Sequence, residues 1–223
     1  MTSMKISRVS FVLVFVFALF CAASAVQAAD DAKIRVACVG DSITFGAGVA
    51  NRGVNAYPVK LGEMLGDGYE VKNFGRSGAT MLKQGDLPYW RVPQFNQSTE
   101  FSPNIVVIKL GTNDTKPQNW KFADEYAKDY EAMIDHFAAL ESKPTIYLCS
   151  PVPVYKDRWG INEKTVVEEV IPKVTELAKR RCLKVIDLYT ALTGIPEMFP
   201  DGVHPNAAGA KVLAEAVYKA IKK

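Results

Sequence analysis

A serine hydroxyl attacks a carbonyl only when a base takes its proton and a third group holds that base in the right tautomer. Histidine is the usual base, and this 223-residue sequence contains two, His136 and His204. His136 falls inside a run of helical spacing from Ala123 to Leu140, one position from its apolar stripe, and reads as a surface or boundary residue. His204 lies in the turn Asp201-Gly202-Val203-His204-Pro205, just before the last amphipathic segment. Asp201, three residues earlier, can aim a carboxylate at one imidazole nitrogen while the other faces a serine. Taken alone, Asp-x-x-His is weak, because a helix-capping turn has the same pattern. It gains force from Ser42, which follows the first apolar run in Gly40-Asp41-Ser42-Ile43-Thr44.

Acyl transfer also needs donors aimed at the oxygen that becomes negative. Uncharged donors suit this task, and the N–H of Ser42, the N–H of Gly78 and the side-chain amide of Asn113 are candidates. Gly75-Arg76-Ser77-Gly78 lacks the Gly-x-Ser-x-Gly spacing of a nucleophile elbow, so Ser77 is not the expected nucleophile. No metal is expected, since no CxxC or His/Cys cluster is present, and no cofactor, since Gly40 to Gly48 is not a nucleotide loop.

Elements must bring these residues together. Short apolar runs at Ile34 to Val39, Tyr69 to Asn73, Ile105 to Leu110, Thr145 to Cys149 and Lys184 to Leu188 read as strands. Helical patterns cover Tyr57 to Leu65, Ala123 to Leu140, Thr165 to Lys179 and Ala207 to Ile221, with Pro172 marking a kink or break in the third. Gly75 to Pro103 reads as a long irregular connection, the kind that is usually functional. The alternation predicts an α/β fold, a three-layer α/β/α sandwich on a five-stranded parallel sheet of flavodoxin type. In such sheets ligands bind at the carboxyl ends of the strands, where Ser42, Gly78, Asn113 and the Asp201 to His204 turn all fall. Lys109 interrupts its apolar strand; reaching the cleft, pairing with a carboxylate and leaving the sheet end all remain open.

The first 28 residues read as a signal peptide. Lys5 and Arg8 precede the apolar run Phe11 to Phe20, and small residues follow up to Ala28. The run is too short for a spanning helix, and the bulky Phe20 before Cys21 argues against lipid attachment. A secreted or periplasmic protein is expected, with residues 29–223 as one catalytic domain and no stable membrane insertion. Removing the leader takes two positive charges, bringing the formal charge from +3 to +1. That near-neutral balance offers nothing for nucleic acid. The remaining Cys38, Cys149 and Cys182 are odd in number, and the first two fall in strand patterns as buried thiols.

The blocks Gly40 to Thr44, Asn73 to Thr80 with its Gly78, Gly111-Thr112-Asn113-Asp114, and Asp201 to Pro205 together resemble those of the SGNH hydrolases, also called the GDSL esterase/lipase superfamily. Isoleucine at position 43 replaces the leucine of the name motif. The resemblance implies Ser42 as nucleophile, His204 as base and then acid, and Asp201 as its orienting partner. It implies an oxyanion hole of Ser42, Gly78 and Asn113, with Gly75 as a second candidate glycine. Lys109 to Trp120 and Ser150 to Gly160 are similar to bacterial members described as sialate or carbohydrate O-acetylesterases. This implies a small-molecule or glycan ester as partner, with Trp90, Trp120 and Trp159 as substrate-binding candidates. A lysophospholipase, thioesterase or arylesterase on the same residues, and a glycan-binding module without activity, are the competing readings.

Overall fold

The computed structural model describes residues 33–222; the expected leader lies outside them. Five strands form, β1 (Ile34–Gly40), β2 (Tyr69–Gly75), β3 (Ile105–Lys109), β4 (Thr145–Cys149) and β5 (Lys184–Ile186). All pair in parallel, in the order β2-β1-β3-β4-β5. The chain leaves β1 toward β2 on one side and returns to β3 on the other. The ends of β1 and β3 therefore border a crevice, the switch point where doubly wound sheets bind ligands.

Strand alternation creates two cores, because successive residues project to opposite faces. Val36 and Cys38 of β1, Val107 of β3 and Ile186 of β5 join α1 (Tyr57–Leu65) on one face. Ala37 and Val39 of β1 and Val106 and Ile108 of β3 lie on the other. That second face also receives residues of α2 (Pro93–Glu100), α3 (Ala123–Ala138) and α4 (Ile171–Arg180). The closing helix, α5 (Ala207–Ile221), packs beside α1 through Leu213, Ala214 and Val217. The expected three-layer sandwich is what forms.

Several boundaries differ from the sequence reading. β2 runs on to Gly75, and β5 stops at Ile186 because Asp187 caps a short turn at Leu188–Ala191 through the Thr190 N–H. The segment expected to be irregular from Gly75 to Pro103 contains α2, whose Pro93 sits in the first turn where a missing N–H costs nothing. Pro172 marks a break in the α-helical hydrogen-bond pattern. It occupies the first turn of α4, after a π-type turn at Val166–Val170 that absorbs the change in hydrogen bonding. Cys38 and Cys149 are buried free thiols, and Cys182 is exposed and also free. Burial pushes the Cys38 thiol up to about 12, so it stays protonated and unreactive.

At the end of β2 the sheet passes against the short helical turn Ser42–Phe45. Asn73 Nδ2 donates to the Thr44 carbonyl at 2.8 Å, and Asn73 Oδ1 accepts the Gly75 N–H at 2.9 Å. A Cβ on Gly75 would overlap the Phe45 backbone nitrogen and lie 2.6 Å from Phe45 Cα. Backbone cannot yield as a side chain does, so Gly75→Ala is expected to destabilise the protein by about 3 kcal/mol. Urea denaturation measures this, and an unchanged midpoint would show that the turn has room to move.

Candidate active site

β1 ends at Gly40 and the chain turns at once into Ser42–Phe45. Asp41 caps this turn, its Oδ1 accepting the Ile43 N–H at 2.9 Å. Ser42 is thereby held in the first turn, where backbone N–H groups lack intrahelical partners. A side chain on Gly40 would collide with Thr44 and come within 2.6 Å of the Lys109 carbonyl, so only glycine admits so sharp an exit.

His204 approaches from the other end of the chain. Its Nε2 lies 2.8 Å from Ser42 Oγ, and its Nδ1 lies 2.8 Å from Asp201 Oδ2. The second Asp201 oxygen accepts the N–H groups of His204 at 2.7 Å and Val203 at 2.9 Å. Burial pushes the Asp201 carboxyl upward, but these bonds and the His204 ring outweigh it and hold its pKa below the usual carboxylate range. An ionised carboxylate only accepts, so His204 Nδ1 carries the proton and Nε2 is left to accept the Ser42 hydroxyl. Gly202, at φ +85°, packs directly on Lys156 and supplies the positive φ that this turn needs. His136 is remote from this arrangement. It is half-buried against Phe95, its Nε2 2.8 Å from Thr99 Oγ1.

Ser42 and His204 open on a cavity of about 220 Å³ that Ser77, Gly78, Asn113 and Trp159 also line. Gly78 adopts φ +85°, which a side chain would resist. Among the described residues neither the Ser42 nor the Gly78 N–H has a protein acceptor. Asn113 Nδ2 donates one hydrogen to the Ala79 carbonyl at 3.1 Å, leaving its second for the cavity. Gly78 and Asn113 thus line the same cavity as the Ser42 hydroxyl. Gly75 is not among the lining residues; its bare Cα serves the close approach to Phe45. The tryptophans separate. Trp159 lines the serine cavity, and Trp120 lines only an adjoining one. Trp90 lies apart from both, packed on Phe95 at 5.2 Å with its Nε1 donating to the Met81 carbonyl.

Lys109, open in the sequence reading, is fully buried and paired with a carboxylate. Its Nζ donates to Asp41 Oδ2 at 3.0 Å, Asp41 Oδ1 at 3.2 Å and Thr112 Oγ1 at 2.7 Å. All three ammonium hydrogens are used. The pair joins the turn carrying Ser42 to the loop carrying Asn113. A second buried carboxylate, Asp114, accepts the N–H groups of Leu82 at 2.8 Å and Met81 at 3.0 Å. Asn119 accepts the Asp86 N–H and donates to the Asn113 carbonyl. These two residues pin the loop that follows Gly78. Asp41, Asp114, Asn119 and Lys109 are the supporting residues that sequence reasoning missed or left open. Their signal was polar and charged types set in otherwise apolar or glycine-rich strand ends.

Removing the ammonium while leaving Asp41 buried should cost about 3–5 kcal/mol. Lys109→Met is expected to show this in chemical denaturation, and Asp41→Asn combined with Lys109→Met should recover part of it. A Lys109→Met loss below 1 kcal/mol would mean that water or rearrangement satisfies Asp41. Burial pushes the Asp114 carboxyl up to about 7; the Leu82 and Met81 N–H groups pull it back and Asp41 raises it again. The folded protein then holds this proton more tightly than the unfolded chain, whose aspartate titrates near pH ~4. The stability from this group is full below about pH 4 and is lost as pH rises to about 7. Asp114→Asn should remove that slope, so urea midpoints of wild type minus variant should decline between those values. A flat difference would count against it.

The comparisons with known proteins agree with this architecture. The GDSL-like Lipase/Acylhydrolase family matches residues 38–212. An acetylxylan esterase of Xylanibacter ruminicola is 42% identical over 215 residues, covering 88% of this chain and 45% of that protein. The chain therefore spans less than half the length of this relative. A carbohydrate acetylesterase family member from Sinorhizobium meliloti superposes with a TM-score of 0.71 at 22% identity, over 86% of this chain and 98% of the other. The aryl esterase of M. smegmatis does so with a TM-score of 0.69 at 20% identity, over 86% and 99%. At such identities the two structures speak for the fold alone. With the family match spanning every strand-end block from Cys38 through the Asp201 to His204 turn, the chain belongs to the GDSL-like lipase/acylhydrolase family.

Proposed function

We propose that the chain is an exported serine esterase that removes O-acetyl groups from a carbohydrate. The observation that carries this reading is the continuous relay Asp201–His204–Ser42, with both ring nitrogens 2.8 Å from their partners. Ser42 Oγ attacks the ester carbonyl as its proton passes to His204 Nε2. The oxyanion is met by the N–H groups of Ser42 and Gly78 and the Asn113 amide, each such donor contributing roughly 3 kcal/mol. His204 returns the proton to the departing sugar oxygen, leaving an acetyl ester on Ser42. Water then attacks that ester with His204 again as base, and acetate departs. Asp201 stays ionised throughout and stabilises the imidazolium.

The acyl group follows from size. A cavity of about 220 Å³ is below the ~300–1,000 Å³ of sites that engulf whole small molecules. It suits an acetyl group better than a long acyl chain. The carbohydrate alcohol is supported by the acetylxylan esterase relative, and export by the leader-like residues 1–28. Among the described residues no helix is long and apolar enough to cross a membrane.

Ser42→Ala should lower kcat on the order of a million-fold, and Asp201→Asn about 10,000-fold by releasing the wrong His204 tautomer. Both should melt near wild type. The measurement is ester hydrolysis across acetyl, butyryl and octanoyl esters, followed by acetate release from acetylated sugars. Faster turnover of octanoyl than acetyl esters would refute the acetyl assignment, and retained activity in Ser42→Ala would refute the nucleophile.

A further inference from the structure

The serine cavity is not isolated. A larger one of about 640 Å³ adjoins it, and the two share Trp159 and Ile161. Trp159 occupies the tip of a two-residue hairpin turn. The Arg158 N–H donates to the Ile161 carbonyl at 3.3 Å and the Ile161 N–H to the Arg158 carbonyl at 2.8 Å. Trp159 and Gly160 have φ values of +53° and +80°. Positive φ at both central positions defines the turn type that prefers Asn-Gly, and a bulky residue there is strained by roughly 1–3 kcal/mol. The strained residue is also 54% exposed. Core packing accounts for neither feature. The indole stands between the two cavities, 5.5 Å from the His204 ring, with the Arg158 guanidinium 4.5 Å from its centre.

The second cavity has a second indole. Trp120 is held by a 2.8 Å bond from Nε1 to Glu169 and by Tyr126, 5.4 Å from its ring. Its polar lining is already oriented. Asn162 donates to Asp157 at 2.9 Å and accepts the Thr165 hydroxyl at 3.0 Å. Asn162 Oδ1 also accepts the Thr165 N–H at 2.9 Å and is filled, whereas the Asp157 carboxylate, with one donor on each oxygen, keeps acceptor capacity for a ligand hydroxyl. Rigid aromatic faces beside fixed polar groups match a pyranose ring, whose C–H faces are apolar and whose rim is hydroxylated.

We infer that this second cavity is a subsite for a further sugar unit, so that the substrate is an acetylated glycan chain and not a single acetylated sugar. The inference rests on the carbohydrate reading above. With the acetyl group at Ser42, the sugar bearing it lies against Trp159, and its chain neighbour occupies the cleft between Trp159 and Trp120.

The test compares kcat/KM of the full chain on p-nitrophenyl acetate, a mono-acetylated methyl xyloside and an acetylated xylotetraose. The tetraose should exceed the methyl xyloside at least tenfold, with the gain in KM. Trp120→Ala should lose at least tenfold more on the tetraose than on p-nitrophenyl acetate, and Trp120→Phe, which keeps a ring against Tyr126, should lose less. Unacetylated xylotetraose should shift the tryptophan fluorescence of wild type and inhibit hydrolysis of the acetylated tetraose competitively, whatever the folding of the variants. Equal kcat/KM on the two sugars, or equal losses in Trp120→Ala on all substrates, overturns the subsite and leaves the esterase reading standing. Hydrolysis of p-nitrophenyl acetate with none of either sugar overturns the carbohydrate reading and the subsite with it.

Discussion

The arrangement around Ser42 depends on one buried interaction, the ion pair between Lys109 and Asp41. Both side chains are fully excluded from water, a situation tolerable only when every polar atom is paired. Here it is: the ammonium spends its hydrogens on both Asp41 oxygens and on Thr112, and Asp41 also accepts the Ile43 N–H. An apolar pair of the same volume could fill this space and hold β1 against β3. It would leave the Ile43 N–H without its cap and the direction of the Ser42 turn unspecified. The pair therefore secures direction more than adhesion, tying the Ser42 turn to the loop that presents Asn113.

The same logic extends outward from the switch point. Asp114 accepts two backbone N–H groups of the loop beyond Gly78, and Asn119 bonds both Asp86 and the Asn113 carbonyl. Asn73 bonds the Thr44 carbonyl from the far side, where Gly75 lets β2 approach the turn. Loops without regular structure must satisfy their backbone groups somewhere, and here buried side chains do it. The Gly78 and Asn113 segments that line the Ser42 cavity are consequently held by the fold itself.

Much of this architecture was legible in the sequence. The unbroken apolar run Val36 to Val39, buried on both faces of the sheet, and the α3 stripe from Tyr126 to Phe137 are local patterns that extend over a few residues. The number of strands followed from counting βα units. The boundaries that moved did so for reasons outside the periodic pattern: Asp187 capped a turn where β5 was expected to continue, and a π-type turn let Pro172 begin a helix. Tryptophans carry no local marker of their surroundings. Trp90 packs against Phe95, Trp120 against Tyr126, and Trp159 stands on a strained hairpin tip, although all three fall in connections between strands.

Taken alone, the sequence determined the fold class and the identities of the chemically capable residues, because composition, periodicity and strand-end position are properties of short segments. Only the tertiary structure decided which of them meet. The contact between Ser42 and His204 spans 162 residues of chain, and that between Lys109 and Asp41 spans 68. Both depend on the sheet bringing separate strand ends together. A buried charge is intelligible only through its partner, so Lys109 reads as an interruption along the chain and becomes an anchor once β1 and β3 lie side by side.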